Sequence, residues 1–254
     1  MTRRLMFTVD VDRDVNVQIE GNQAAGSLDR GQGTSPRFSS SKKGLAILLD
    51  ILDDLGIRGT FFIEGCTAET IDCSIVSGHC IGFHGYDHED LTAVDNLGEV
   101  MDRGYNAVRD NVSTPACFRS PYMKTNDSVI DELMRLGIRH DSSVYADPGV
   151  QPYQVKGVTE HPVAKGKDHL GKVITAYLWP MHEGKRKPAD YLSLARACGE
   201  ADVVISTHSW HMVESRDSGT MSSDRVQANR VQVEEVLGMM MDEGFEPSTI
   251  CDSC

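Results

Sequence analysis

The chain has 254 residues, of which 40% are hydrophobic and 25% charged, a composition typical of a globular protein with an apolar core. Its net charge of -13 argues against DNA or RNA as a partner, because neutralising phosphates requires clustered Lys and Arg. No apolar run approaches the roughly 18 residues that span a bilayer, and the run after the first arginines is too short for a signal peptide, so we expect a cytoplasmic protein with no membrane partner.

The first predicted strand, residues 7–12, ends in two carboxylates, Asp10 and Asp12. Side chains in a strand alternate between its faces, so these two point to the same side. Two adjacent carboxylates repel each other, and the pKa of one of them rises unless a cation lies beside them. The carboxyl end of a strand is where α/β folds hold their functional residues. The pair alone is equally compatible with a solvated turn, in which Asp is common.

Strands and helices alternate along the rest of the chain. Residues 13–41 have no apolar period and predict a long loop over the carboxylate pair, and residues 42–55 predict an amphipathic helix that ends at Gly56. Further strands are predicted at 57–63, 80–83, 116–118, 138–141, 158–163, 173–178, 203–207 and 245–250, and further helices before Gly78 and at 96–111, 127–136, 189–198 and 224–243, the last capped by Ser222 or Ser223. Such strand–helix units predict an α/β fold, and some seven of them favour a barrel of parallel strands with helices outside. No repeat or linker divides the chain, so we expect a single domain over residues 1–254.

The cysteines form an odd set without a framework spacing: Cys66, Cys73, Cys80, Cys117, Cys198, Cys251 and Cys254. In a cytosolic protein of this size, buried reduced thiols are expected. Cys251 and Cys254 make a C-x-x-C, but no second pair at zinc-ribbon spacing accompanies it, so a structural zinc is not expected there.

Two histidines, His84 and His88, follow the apolar strand at 80–83. On a helical turn, a spacing of four places both rings on one face, close enough to share one metal ion. Among nine histidines such a pair arises easily by chance, and its position at a strand end, like that of Asp12, is what favours a site. Two neutral imidazoles and one carboxylate, with an open fourth position, are typical of a hydrolytic zinc centre.

Two more strand ends carry reactive side chains. Arg119-Ser120-Pro121-Tyr122 follows the strand at 116–118, and the guanidinium can form a forked pair with a buried carboxylate. His208 and Trp210 follow the strand at 203–207, where a histidine beside an indole suits acid catalysis and ring stacking. Each has an ordinary alternative, a surface turn for the first and a satisfied core histidine for the second.

The four strand ends carry Asp-x-Asp, His-x-x-x-His, Arg-x-Pro-Tyr and His-x-Trp, in that order. In this set the chain resembles the polysaccharide deacetylase family, the NodB-homology enzymes that remove acetyl groups from N-acetylated sugars. The similarity extends from residue 5 to about residue 250 and includes Thr60-Phe61-Phe62 in the second strand. It implies a distorted (β/α)7-type barrel.

The resemblance also implies a metal centre. Asp12, His84 and His88 would bind one divalent ion, expected to be Zn²⁺, although this ligand set also suits Co²⁺, Ni²⁺ or Fe²⁺. Asp10 would be the general base, and Arg119 would orient it and keep it ionised.

Further roles are implied around the substrate. The backbone N–H of Tyr122 would contribute to an oxyanion hole, and His208 would protonate the leaving amine. Asp141 falls where the family has an acidic residue that tunes this histidine, and its charge would raise the pKa of His208. Tyr122 and Trp210 are expected to bind substrate.

The sequence departs from the family pattern at three places. Val11 separates carboxylates that are adjacent in the usual first motif, Tyr145 replaces a common Trp, and Phe83 replaces a common Asn. These changes leave the metal chemistry intact and the sugar preference open.

The implied chemistry is coherent. An amide is a poor electrophile, and a metal ion that polarises its carbonyl and lowers the pKa of water supplies the nucleophile. Asp10 can take the water's proton, and a histidine can give one to the amine. We therefore expect a metal-dependent hydrolase that removes N-acetyl groups from a sugar or oligosaccharide.

Two other functions stay open. One is a related hydrolase of a non-sugar amide or cyclic ureide, as in allantoinase-like proteins, and the other is a non-catalytic carbohydrate-binding protein on the same scaffold. Both kinds of relative tend to lack a metal ligand or the base, and here all are present. The expected partner is a carbohydrate or small amide, and no oligomeric state is predicted.

Overall fold

The structure is a computed structural model that describes residues 3–14, 37–216 and 218–252. Most of the loop predicted at 13–41, namely residues 15–36, lies outside the described residues. The ends that flank it meet, because Asp14 N–H donates to the Arg37 carbonyl at 2.9 Å.

Parallel strands form the centre of the fold. The strands are β1 (Arg3–Val11), β2 (Thr60–Ile63), β3 (Cys80–Phe83), β4 (Cys117–Phe118), β5 (His140–Asp141), β6 (Tyr145–Ala146), β7 (Tyr153–Val155), β8 (Val158–Glu160), β9 (Val163–Lys167), β10 (Val173–Thr175), β11 (Val203–His208), β12 (Glu214–Ser215), β13 (Gly219–Thr220) and β14 (Phe245–Ser248). Nearly every residue of β1 and β2 is buried, as expected for parallel strands that are covered on both faces.

The main sheet has the order β11-β1-β2-β3-β4-β5-β8-β7, with β14 beside β1. Beyond β8 the chain continues into β9, which lies in a second sheet with β6 and β10. The segment after β10 then returns to β11 through a parallel bridge between Tyr177 and Ser206. This curled arrangement confirms the predicted α/β barrel-like fold, with closure through an isolated bridge instead of a continuous ladder.

Helices surround the sheet. They are α1 (Ser39–Leu55), α2 (Gly65–Thr70), α3 (Leu97–Asn111), α4 (Asp127–Leu136), α5 (Trp179–His182), α6 (Pro188–Ala197) and α7 (Ser223–Asp242). Helix α1 ends at Gly56, whose φ of 65° is the left-handed conformation that glycine adopts without strain. The Ser222 hydroxyl caps α7 by accepting from the Arg225 N–H.

Some elements differ from the prediction. The strand predicted at 173–178 ends at Thr175, and α5 begins at Trp179 with a proline in its first turn. The two-residue strands β6, β12 and β13 have no sequence signal of their own, because tertiary pairing alone defines them.

The cysteines also differ from the prediction of reduced thiols. Cys80 and Cys251 form a disulfide with Cα atoms 6.1 Å apart, across a sequence separation of 171 residues. Cys66, Cys73, Cys117 and Cys198 are free thiols. Within the described residues, no helix has the length and apolar character needed to cross a membrane.

Candidate active site

The predicted site residues gather at one rim of the sheet. Parallel strands bring their carboxyl ends to the same edge, and β1 and β11 pair in a register that sets Asp10 opposite His208. His84 follows β3, and Arg119 follows β4, which pairs with β3. The alternation of strands and helices therefore assembles residues that are far apart in the sequence.

Asp12, His84 and His88 form a buried triad. One ligand atom from each lies within 4.8 Å of the others, and the Asp12 carboxylate is 3.6 Å from His88 Nε2. The segment from His84 to His88 is a loop, not the helical turn that the spacing suggested. Gly85 has a φ of 67° and His88 a φ of 54°, and these left-handed conformations bend the chain so that both rings face Asp12.

This triad has the chemistry of a cation site. Both oxygens of Asp12 are buried, and neither has a hydrogen-bond partner, although a buried carboxylate without partners is costly. The Nδ1 of His84 lies 2.8 Å from the Arg119 carbonyl oxygen, and donation there leaves Nε2 available as a ligand.

The pKa values of the triad agree with this chemistry. Burial and the neighbouring carboxylates of Asp10 and Glu64 raise the pKa of Asp12 well above its usual value. Burial also lowers the pKa of His84 and His88, so both imidazoles stay neutral. A divalent cation fits these three side chains, because its positive charge would balance the buried negative charge of the Asp12 carboxylate.

Asp10 lies in a different environment from Asp12. Its Oδ1 accepts a hydrogen bond from Arg119 Nη1 at 2.9 Å, and its Oδ2 accepts one from the hydroxyl of Tyr177. Burial opposes ionisation of Asp10, but Arg119, His84, His208 and the Tyr177 hydroxyl together lower its pKa to about 2. Asp10 is therefore an ionised carboxylate at neutral pH.

The guanidinium of Arg119 is itself fixed on several sides. Nε donates to the Ser142 carbonyl at 2.8 Å and Nη2 to the Ser142 hydroxyl at 2.9 Å. The guanidinium carbon lies 4.3 Å from the centre of the Phe62 ring. The arginine is fully buried, so its position is set by the fold and not by solvent.

His208 has a different carboxylate neighbour from the one expected. Its Nε2 lies 3.8 Å from Asp10 Oδ2, whereas the Asp141 carboxylate accepts from the Ser143 hydroxyl and lies opposite Glu160 on the neighbouring strand. Burial lowers the pKa of His208 to about 3, although the charge of Asp10 opposes this. The expected rise in the pKa of His208 through Asp141 is therefore not found, because Asp141 faces a carboxyl group and two serines.

The turn after β4 brings Tyr122 to the site. Ser120 N–H donates to the Ser143 hydroxyl at 2.8 Å, and Tyr122 has a φ of 60°, uncommon for a residue with a side chain. Its ring lies 4.6 Å from that of His88 in an edge-to-face arrangement. The strained turn directs Tyr122 toward the triad of Asp12, His84 and His88.

A pocket opens over these groups. Its walls come from the residues Asp10, His84, His88, Ser120, Tyr122, Met123, Tyr145, Tyr177, Trp179, His208, His211 and Arg216. Trp210, predicted to bind substrate, is instead fully buried and stacks on His211 with ring centres 4.3 Å apart. Half-buried Trp179 is the indole at the pocket, and a guanidinium from Arg216 lies 5.5 Å from the centre of its ring.

Two contacts near this pocket were missed by reasoning from the sequence, that of Tyr177 with Asp10 and that of His211 with Glu183. Tyr177 sits at the end of a predicted strand, like the residues that were found, and this position is a usable signal. His211 Nε2 forms a hydrogen bond with Glu183 Oε1 at 2.8 Å, and neither residue belongs to a recognisable motif. Their meeting depends on the packing of α5 against the segment after β11, which no local pattern predicts.

Comparisons with known proteins agree with this arrangement. Residues 36–140 match the family model described as polysaccharide deacetylase. The peptidoglycan deacetylase-like protein FGM2 of Gibberella zeae is 30% identical over 153 residues, 56% of this chain and 44% of that protein. Chitin deacetylase 1 of Cryptococcus neoformans var. grubii is 30% identical over 145 residues, 52% of this chain and 31% of that protein. The chain thus spans less than half the length of these curated relatives.

Solved structures share the fold across almost the whole chain. A Mycobacterium smegmatis protein described as a polysaccharide deacetylase has a TM-score of 0.60 at 20% identity, with 98% of this chain and 93% of that chain covered. BA3943 of Bacillus anthracis, described as a CE4 family pseudoenzyme, has a TM-score of 0.56 at 10% identity, with 98% of this chain and 64% of that chain covered. Residues 36–140 thus match the polysaccharide deacetylase family, and almost the whole chain shares the fold of these solved structures.

Proposed function

We propose that this chain is a metal-dependent hydrolase that removes N-acetyl groups from an N-acetylated sugar or oligosaccharide, of the kind found in chitin or peptidoglycan. The observation that carries the proposal is the buried triad of Asp12, His84 and His88 beside the ionised Asp10. The names of the sequence relatives support the substrate class, since they are a chitin deacetylase and a peptidoglycan deacetylase-like protein.

Asp12, His84 and His88 would hold the divalent metal, with Zn²⁺ as the expected ion. When bound, the ion polarises the amide carbonyl and lowers the pKa of water. Asp10 takes the proton of the attacking water, because Arg119 keeps its carboxylate ionised and oriented. The backbone N–H of Tyr122 donates to the developing oxyanion.

His208 gives a proton to the leaving amine. Because its pKa is lowered to about 3, the imidazole is neutral before reaction, and it must first gain the proton that it delivers. Asp10 Oδ2, 3.8 Å from His208 Nε2, holds the proton taken from water. The pair thus moves one proton from water to the amine.

The rings at the pocket support a sugar substrate. Tyr122, Tyr145 and Trp179 line its walls, and aromatic faces provide apolar contact area for the C–H surfaces of a sugar ring. These aromatic side chains, and not the metal ligands, would determine which sugar binds.

The fold by itself does not establish catalysis, because a pseudoenzyme has the same fold. What favours an enzyme is that this chain has both carboxylates at the end of β1, both histidines and the buried arginine. The cytoplasmic location is a prediction from the sequence. The Cys80–Cys251 disulfide is instead more typical of proteins in oxidising compartments. Cell fractionation with an antibody against the chain tests where the protein is located.

Two variants test the assignment of roles. We expect Asp10→Asn to lower acetate release from N-acetylchitooligosaccharides by about 10²- to 10⁴-fold while the bound metal stays unchanged, because only the base is lost. Asp12→Asn, two residues further along the chain, is the matched control, and it should lose both metal and activity. Full turnover in Asp10→Asn would exclude Asp10 as the base, and unchanged metal content in Asp12→Asn would exclude the triad as the metal site.

A further inference from the structure

A second group of ligand-type side chains lies at the opposite end of the strands from the active site. Cys80 and Cys117 are the first residues of β3 and β4, and Cys251 lies in the turn Ile250–Asp252 that follows β14. The three sulfur atoms lie within 4.8 Å of one another. Cys80 and Cys251 are joined in the disulfide, and Cys117 Sγ lies 3.6 Å from Cys80 Sγ.

A disulfide needs only two sulfur atoms, so it does not account for the position of Cys117. Gly82 leaves room for the Cys117 side chain, since a Cβ atom at Gly82 would lie 2.8 Å from Cys117 Sγ. Because Zn–S bonds are about 2.3 Å long and tetrahedral, two sulfurs on one zinc ion lie about 3.8 Å apart. The separation of Cys80 and Cys117 is close to that value.

The turn that carries Cys251 is held against the sheet. Ile250 N–H donates to the Thr60 hydroxyl at 3.0 Å, and the Thr249 hydroxyl donates to Asp252 at 2.8 Å. Ile250 and Thr249 are fully buried. Contacts other than the disulfide therefore also hold Cys251 beside Cys80 and Cys117.

We propose that, when its thiols are reduced, this cluster of Cys80, Cys117 and Cys251 binds one thiophilic divalent cation such as Zn²⁺. A phosphine reductant supplies two electrons to the disulfide and becomes a phosphine oxide, while water provides its oxygen and the two protons of the new thiols. Metal binding then releases the thiol protons. The disulfide and the metal-bound form are alternative states of Cys80 and Cys251. The disulfide fastens the segment after β14 to β3, and the metal ion would fasten it to both β3 and β4.

The Cys117 thiol must lose its proton to bind the metal ion. Burial raises the pKa of this thiol, so that it stays protonated until a metal ion displaces the proton. The sequence pattern alone missed the cluster because Cys80 and Cys117 meet only in the folded sheet.

Cobalt provides the test, because thiolate-bound Co²⁺ absorbs strongly in the near ultraviolet and the Asp12, His84 and His88 triad has no sulfur. The full chain is reduced with a phosphine, freed of metal and titrated anaerobically with Co²⁺. We expect a thiolate-to-metal absorption band and a second bound equivalent of metal beyond that of the triad. Asp12→Asn should keep the band, which separates this site from the proposed catalytic site.

Cys117→Ala should lose the band, and Cys198→Ala, which removes a buried thiol outside the cluster, should keep it. Circular dichroism checks that each variant is folded, and Cys251→Ser, at a half-buried position, replaces Cys117→Ala if that variant does not fold. Absence of the band in folded, reduced wild type would overturn the proposal. A band of wild-type intensity in folded Cys117→Ala or Cys251→Ser would overturn it as well.

Discussion

Asp10 lies in β1 and Asp12 directly after it, yet the charged groups around the two carboxylates differ. Asp10 accepts from Arg119 and Tyr177, and its pKa is lowered to about 2. Asp12 has no hydrogen-bond partner for either oxygen, and burial raises its pKa. The first is prepared to accept a proton and the second to bind a cation, so the two carboxylates suit different tasks on the same face.

Tyr177 should matter for the rate and not for the metal. In Tyr177→Phe the hydroxyl that donates to Asp10 is lost, and since a hydrogen bond to a charged group contributes about 1.5–3 kcal/mol, we expect kcat to fall at least about 10-fold. Bound metal should not change. The measurement is acetate release at saturating substrate together with metal content.

Tyr191→Phe is the control for this variant. Its hydroxyl is also buried, but it donates to the Tyr177 carbonyl oxygen at 3.1 Å and does not touch Asp10. If both variants lose the same activity, the effect comes from packing, and the specific role of the Tyr177 hydroxyl is refuted.

Asp141 and Glu160 form a buried pair of carboxyl groups that makes stability depend on pH. Burial raises the pKa of Asp141 to about 6 and, with the charge of Asp141, raises that of Glu160 well above its usual value. A carboxyl group whose pKa is raised on folding stabilises the fold while it is protonated, and this contribution is lost as the pH rises through the folded-state pKa. Glu160→Gln keeps a neutral donor at every pH.

We therefore expect Glu160→Gln to gain stability relative to wild type as the pH rises from about 5 to 9. The free energy of unfolding, measured by urea denaturation at several pH values, checks this. Glu246→Gln on the exposed surface of β14 is the control and should show no such trend. A difference between wild type and Glu160→Gln that is constant with pH would contradict the paired, protonated state.

At the scale of secondary-structure elements, the close packing of α1 against the segment after β11 helps to position Asp10 and His208. Helix α1 contacts the segment after β11 through Gly44, and a Cβ atom there would lie 1.7 Å from the Ser209 carbonyl oxygen. Ser209 directly follows His208 and donates its N–H to the Asp10 carbonyl at 3.0 Å. A glycine in a helix interior weakens the helix, and here it allows the helix to support both residues.

Gly44→Ala should therefore destabilise the protein by about 1–3 kcal/mol or more, because the added methyl group overpacks the contact. Gly238→Ala is the matched control, since Gly238 is also inside a helix but has open space where its Cβ would be. It should stabilise the protein by about 0.5–1 kcal/mol through helix propensity alone. Equal effects of the two substitutions in chemical denaturation would refute the close contact.

At the scale of the whole molecule, periodic signals predicted the architecture well. The helix predicted at 127–136 coincides with α4, and each strand that ends in a motif was found, because burial on both faces leaves continuous apolar runs. The residues proposed as metal ligands could be named because they follow such runs.

Contacts that depend on packing between distant segments could not be predicted. The partner of Asp141, the burial of Trp210 and the meeting of Cys80 with Cys251 each join elements with no shared local pattern. The loop from His84 to His88 differs from the expected helical turn because left-handed residues, not helical spacing, bring the rings together.

The most direct test follows acetate release from N-acetylchitooligosaccharides by the full chain in three states: loaded with Zn²⁺, stripped by a chelator and reloaded. If Asp12, His84 and His88 hold the ion that activates water for attack on the acetamido group, the loaded and reloaded protein release acetate and the stripped protein does not. Acetate release that survives complete removal of the metal, or no release by fully loaded protein from any N-acetylated sugar, would contradict it.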